Sequence, residues 1–114
     1  MNFNLLEQSI GHKFSNYEVL SEALTHRSYS NEDERNKKNY ERLELLGDAV
    51  LELAITDILM NKYPDSSEGE LSKARSALVK AGILAKVARS IELGNYIRLG
   101  KGEDLSGGRD RDSI

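Results

Sequence analysis

Apolar residues recur along this chain at helical spacing, three or four apart, with very little alternation of the kind a strand would show. Phe3, Leu6 and Ile10 predict a short first helix closed by Gly11. Ser15 with Glu18 matches a capping box that opens a second helix through Leu20, Ala23 and Leu24. Residues 31–39 are charged and almost free of apolar side chains, which predicts a polar loop. Asn39 can then cap a long helix that runs to Lys62 and stops at Pro64. Ser67 and Glu70 form another capping box, and the helix they start carries Leu71, Ala74 and Leu78 on one side. Gly82 is expected to interrupt it before Leu84, Val87, Ala88 and Ile91 carry the pattern on to Gly94. Only Tyr96-Ile97-Arg98-Leu99 offers a strand-like run, so the expected fold class is all-α. Residues 100–114, rich in Gly and charge, have no apolar face and read as a loop. Within it Gly107-Gly108-Arg109 is open to two readings, a flexible connector or a phosphate contact through backbone N–H groups and the guanidinium.

The long helix contains an anomaly. At about 100° per residue, Glu44 and Asp48 fall within roughly 60° of Glu41, so three carboxylates form one stripe. On an arbitrary helix these would be surface acids on a solvated face. Here Leu43, Leu46, Val50, Leu53 and Ala54 cover the far side, and Leu45, Ile55 and Leu59 sit on or beside the stripe, a pattern that predicts a helix buried nearly all round. Buried acids need partners, and the only cation inside the motif is Arg42, roughly 100° round from Glu41. A hard divalent cation such as Mg²⁺ would reverse the repulsion, because it takes oxygen ligands from one or two carboxylates and fills its other positions with water or phosphate. The stripe reads as half of a metal site. Glu52 projects near Glu41 but lies beyond Asp48 and is expected to reach solvent.

Composition narrows the setting. The 114 residues make one domain able to bury its own core. Without cysteine, any metal must be held by oxygen or histidine. No apolar run approaches the ~20 residues of a membrane span, and Met1-Asn2-Phe3-Asn4 lacks the start of a signal peptide, so the expectation is a soluble, cytoplasmic protein. A net charge of −3 and a pI near 5.4 argue against tight nucleic-acid binding by this chain alone, although basic flanks exist at Lys37-Lys38, Lys73 with Arg75, and Arg109 with Arg111.

The segment Asn39-Tyr40-Glu41-Arg42-Leu43-Glu44-Leu45-Leu46-Gly47-Asp48-Ala49-Val50-Leu51 resembles the signature helix of the ribonuclease III endonucleases. Ala23-Leu24-Thr25-His26-Arg27-Ser28-Tyr29 before it, the helix of residues 68–79 after it, and the glycine-rich stretches at 99–103 and 107–109 resemble the same family. The resemblance implies Mg²⁺-dependent hydrolysis of phosphodiesters in double-stranded RNA, leaving 5′-phosphate and 3′-hydroxyl ends, with Mn²⁺ as a substitute metal, by a homodimer. It implies that Glu44 and Asp48 are metal ligands and catalytic carboxylates, with Glu41 and Glu68 supporting. Glu68, in the first turn of its helix, has an equally good structural role favouring the helix dipole. Leu45, where the family commonly has Phe, and Gly47 are implied at the dimer interface, though Leu45 as an ordinary core residue fits the sequence equally well.

The chain also departs from the family. It stops at Asp112-Ser113-Ile114, just before the helix expected to bring a second Asp and Glu, and it holds no double-stranded RNA-binding domain. Residues 1–114 are therefore expected to be the N-terminal part of the catalytic domain, weak in Mg²⁺ binding and inactive alone. A non-catalytic RNA-associated scaffold or dimerisation module of the same fold is the competing reading. His26 is expected to be hydrogen-bonded near the signature helix, with His12 exposed.

Overall fold

A computed structural model describes residues 2–33, 35 and 37–114. Its helices, in chain order, are α1 (Asn4–Ile10), α2 (Tyr17–Ala23), α3 (Arg27–Glu32), α4 (Glu41–Lys62), α5 (Glu68–Leu78), α6 (Ala81–Ser90) and α7 (Lys101–Leu105), with 3₁₀ turns over Leu93–Tyr96 and Gly108–Asp110. Among the described residues there is no strand, only a parallel bridge between Thr25 and Arg98, so the chain is all-α as expected. No described helix is long and apolar enough to cross a membrane.

Local chemistry accounts for most helix ends. Gly11 closes α1 in the left-handed conformation (φ 68°), where a side chain would be strained. Ser67 accepts from the Glu70 N–H while Glu70 accepts from the Ser67 N–H, completing the capping box of α5. Three expectations shift. The cap of α2 is Asn16 rather than Ser15, its Oδ1 accepting from Glu18 and Val19 N–H groups. The break between α5 and α6 falls at Val79 and Lys80, and Gly82 lies inside α6. The cap position of α4 is Tyr40, without a side-chain cap bond, rather than Asn39, whose Oδ1 accepts from the Glu41 N–H just inside the helix. In the expected loop at 31–39, Asn31 and Glu32 instead complete α3, and Lys37 to Asn39 are irregular. Glu34, Asn36 and Met1 lie outside the described residues.

The core gathers Phe3, Leu6, Leu20 and Leu24 with Phe14, Ile91, Leu93, Tyr96 and Ile97, joining α1 and α2 to the end of α6 and the turn after it. The buried Glu7 carboxylate is satisfied, accepting from the Phe14 N–H (2.7 Å) and the Tyr17 hydroxyl (2.9 Å). Away from this core, α4 and α5 form a hairpin, and the molecule is elongated, 52 × 30 × 24 Å. Residues 100–114 are not a free connector. The Arg109 guanidinium donates to the carbonyls of Gly94 (2.5 Å) and Ile97 (2.7 Å) and forks onto Asp104, while Arg111 pairs with Glu103 and Arg89 with Asp112. Both readings of Gly107-Gly108-Arg109 are corrected: the guanidinium is a strut within the chain.

Candidate active site

The segment 24–28 holds the start of α4 in place. Tyr40 N–H donates to the Thr25 carbonyl (2.9 Å), His26 N–H to that of Arg98 (3.0 Å), and Arg98 N–H to that of Leu24 (2.8 Å). His26 caps α3 by accepting the Ser28 N–H on Nδ1 (3.2 Å). Ser28 Oγ accepts from Gly100 N–H (2.9 Å) and lies 2.8 Å from the same Nδ1, so its hydrogen points at the ring and the imidazole proton sits on Nε2. The expected structural role of His26 is what this arrangement describes, and its ring packs edge-on to Tyr40. His12 is exposed.

From this base α4 projects Glu41, Glu44 and Asp48. All three are exposed, and so is Glu52. Glu41 lies 4.0 Å from Arg27 of α3, not from Arg42. Glu44 and Asp48 make no side-chain hydrogen bond or ion pair with any described residue. Glu41 and Glu44 stand in the first turn, where the helix dipole favours negative charge; Asp48, a turn later, gains little from it. Tyr40 reports the local field: burial and the Glu44 charge push its phenol above the usual value, Glu103 adds to this, and Arg27 opposes it.

The expectation that α4 is buried nearly all round is overturned. Leu45, Leu46, Val50 and Leu53 are 77, 61, 58 and 72% exposed, and Leu59 is the buried residue of the helix. The reason is geometric. In projection Ile55 and Leu59 lie on the same side as the acids, and there α5 covers the C-terminal half of α4. On the opposite face Leu46, Val50 and Leu53 stay exposed while Leu43 is half-buried. The acids are therefore solvated, their mutual repulsion is a few tenths of a kcal/mol per pair, and burial cannot be what demands a cation. What leaves Glu44 and Asp48 open to a cation is the lack of a side-chain partner among the described residues.

The remaining candidates separate. Glu68 begins α5 and shares a groove with Thr56, Leu59 and Met60, while Arg75 donates to Thr56 (3.0 Å). The two helices thus run antiparallel, and even Thr56 lies about 12 Å along the axis from Asp48, so this chain does not bring Glu68 to the stripe. Leu45 is a surface residue rather than a core one. Nothing lies within 4 Å of a Cβ built on Gly47, so among the described residues no backbone outside its own helix approaches there. Among the described residues no three His, Asp or Glu side chains converge as a metal cage. Glu44 and Asp48, hard oxygen donors one turn apart and unpaired, fit two ligands of Mg²⁺ and no more. Sequence reasoning passed over Arg27 because its contact to Glu41 is tertiary and leaves no periodic mark, and Tyr40 although it stands one turn before Glu44 at the start of α4.

This order of helices, with an acid-bearing α4 displayed on the surface, defines an all-α domain. It superimposes on the nuclease domain of ribonuclease III from Campylobacter jejuni with a TM-score of 0.88 at 41% identity, covering 98% of this chain and 75% of that one; that structure is described as flexible in a region involved in dimer formation. Ribonuclease 3 of Listeria monocytogenes is 50% identical over 110 residues, and that of Borreliella burgdorferi 54% over 101 residues. These matches cover 96% and 89% of this chain but 48% and 41% of those proteins, so the chain spans about half the length of the curated relatives it matches. A family model described as Ribonuclease-III-like matches residues 16–114, and the chain belongs to that family.

Proposed function

We propose that this chain is part of the catalytic domain of an endoribonuclease that hydrolyses double-stranded RNA with Mg²⁺, in RNA processing in the cytoplasm, leaving 5′-phosphate and 3′-hydroxyl ends. The observation that carries the reading is the Glu44 and Asp48 pair, one turn apart, exposed and without a side-chain partner among the described residues, on the helix that matches the family's signature. Both carboxylates hold the cation, and Glu41 sits at the edge of the site against Arg27. When bound, Mg²⁺ supplies an activated water and offsets charge on the departing 3′-oxygen. Water oxygen bonds to phosphorus, the P–O3′ bond breaks, and the 3′-oxygen takes up a proton. An exposed α4 suits a rigid duplex, read by A-form shape, phosphates and 2′-hydroxyls rather than by base edges.

With two ligands among the described residues, the rest of the cage comes from groups these residues do not supply, and this chain alone binds Mg²⁺ weakly and cuts little RNA. The exposed Leu45 and the open surface at Gly47 face a second copy. Glu68, remote from the stripe within one chain, either meets the partner's site in that dimer or serves the dipole of α5.

The test is cleavage of an end-labelled perfect RNA duplex by the intact protein. Glu44→Gln and Asp48→Asn should each lower the rate at least about a hundredfold in Mg²⁺ without lowering the melting temperature, and Mn²⁺ should replace Mg²⁺. Cleavage indifferent to Asp48→Asn would overturn the assignment of the site. Tight duplex binding with no cleavage under any divalent cation would favour the scaffold reading.

A further inference from the structure

We propose that Arg27 is a phosphate-binding residue, gripping the backbone of a nucleic-acid duplex at the edge of the Glu44 and Asp48 stripe. The inference rests on the reading of the site given above and deepens it.

A row of carboxylates repels a polyanion, so a duplex that reaches Asp48 must meet a cation at the rim. Most arginines of the chain are engaged elsewhere. Arg75 donates to Thr56, Arg89 pairs with Asp112, Arg98 donates to Thr25 and Ser21, Arg109 braces Gly94 and Ile97, and Arg111 pairs with Glu103. Arg27 differs. Its side chain is 69% exposed, and its one ion pair among the described residues, to Glu41, is a single N···O approach of 4.0 Å between two exposed groups. Its guanidinium makes no hydrogen bond among the described residues, which leaves the planar fork that suits a phosphate available.

Its position is set by the frame rather than by a loop. Arg27 opens α3 directly after His26, whose ring caps that helix, and Thr25 accepts the Tyr40 N–H at 2.9 Å. The guanidinium stands near the Tyr40 phenol, as Glu44 does, the two charges acting on that hydroxyl with opposite sign. Arg27 thus touches Glu41 and shares a neighbour with Glu44, so a phosphate it holds lies beside the stripe and not at a distant surface. Glu41 becomes the internal stand-in for that phosphate, occupying the guanidinium until a duplex displaces it.

This view gives Arg27 and Glu41 opposite signs in one experiment. Duplex affinity would be measured across a salt series with the intact protein carrying Asp48→Asn, so that the RNA is not cut. Arg27→Ala should weaken binding roughly five- to tenfold at low salt and reduce the slope of log K against log salt by about one. Arg27→Lys should keep the slope while losing part of the affinity, because the charge remains and the fork does not. Glu41→Gln should tighten binding by freeing the guanidinium. Lys86→Ala, on the exposed surface of α6, should leave the slope unchanged.

Arg27→Ala with an unchanged slope, Arg27→Ala and Glu41→Gln weakening binding alike, or Lys86→Ala matching Arg27→Ala would each overturn the proposal. Should Arg27→Ala melt early, Arg27→Gln, which keeps most of the stem, is read in its place on the same criteria. A parent that binds no duplex removes the reading of the site and this inference together. A parent that cuts duplex RNA and loses cutting with Asp48→Asn, while Arg27→Ala leaves affinity and slope intact, removes only this one.

Discussion

A Cβ built on Gly100 would lie 2.6 Å from the carbonyl oxygen of Ser28 and 2.9 Å from its carbonyl carbon, so α3 and the approach to α7 meet backbone to backbone. The same contact is bonded on both sides. Gly100 N–H donates to Ser28 Oγ and Lys101 N–H to Glu32 Oε1, each at 2.9 Å. Gly100→Ala must push α3 away and break these bonds, at a cost of about 1–3 kcal/mol in urea unfolding. Gly69→Ala is the matched control: its nearest atom is 3.9 Å away, and a helical Ala should stabilise by up to about 1 kcal/mol. Equal effects of the two would show that the close approach carries no weight.

The Arg109 strut makes a second prediction. Its side chain is 31% exposed, and it bonds two carbonyls and both oxygens of Asp104. Arg109→Ala should cost about 1–3 kcal/mol, since part-buried acceptors lose their donor. Arg109→Lys should recover little, because one ammonium cannot span that fork. Hydrogen exchange at the turn over Gly108–Asp110 checks the locality: faster exchange there is expected in both variants, and an unchanged rate would refute the strut.

These two contacts mark where the sequence stops being legible. Helix ends set by neighbours in sequence could be read directly: Gly11, Pro64 and the box of Ser67 and Glu70. The short α3 was hidden because its cap is a histidine ring nitrogen, outside the usual Ser, Thr, Asp and Asn set. Residues 100–114 looked unstructured because what orders them is Arg109 and Arg111 reaching across space, not an apolar face. For the site, the stripe of Glu41, Glu44 and Asp48 follows from helical period alone. Its exposure did not, because a helix apolar all round has the same pattern whether its cover is its own core or another molecule.

Two titrations should appear with opposite signs. The Ser67 backbone and hydroxyl bonds hold the Glu70 carboxyl below its ordinary value, so their stabilisation is full above that value and lost as pH falls through the lowered one. Tyr17 is shifted the other way: its bond to the Glu7 carboxylate raises the phenol above its ordinary 10.0, stabilisation that is present below that pH and lost as pH climbs through the raised value. Melting temperatures of Ser67→Ala should therefore converge on the parent's in acid, and those of Tyr17→Phe in strong alkali. A constant offset across the whole pH range would exclude these linkages.

The outer face of α4 yields the prediction that bears on assembly. Gly47 sits mid-helix with open space around its Cβ position; Leu45, 77% exposed, lies about 200° round the axis from it, on the side of the acids. Within one chain nothing opposes Gly47→Ala, and the variant should raise monomer stability by about 0.5–1 kcal/mol, measured by urea unfolding at low protein concentration. If a second copy brings its backbone against this face, the added methyl has no room there. Self-association should then weaken at least about tenfold in sedimentation even as the monomer gains stability. Leu45→Ala should weaken association as well while leaving monomer stability nearly unchanged, because its side chain is solvated until the partner arrives. A Gly47→Ala protein that is more stable and associates as tightly as the parent would move the interface off this face of α4.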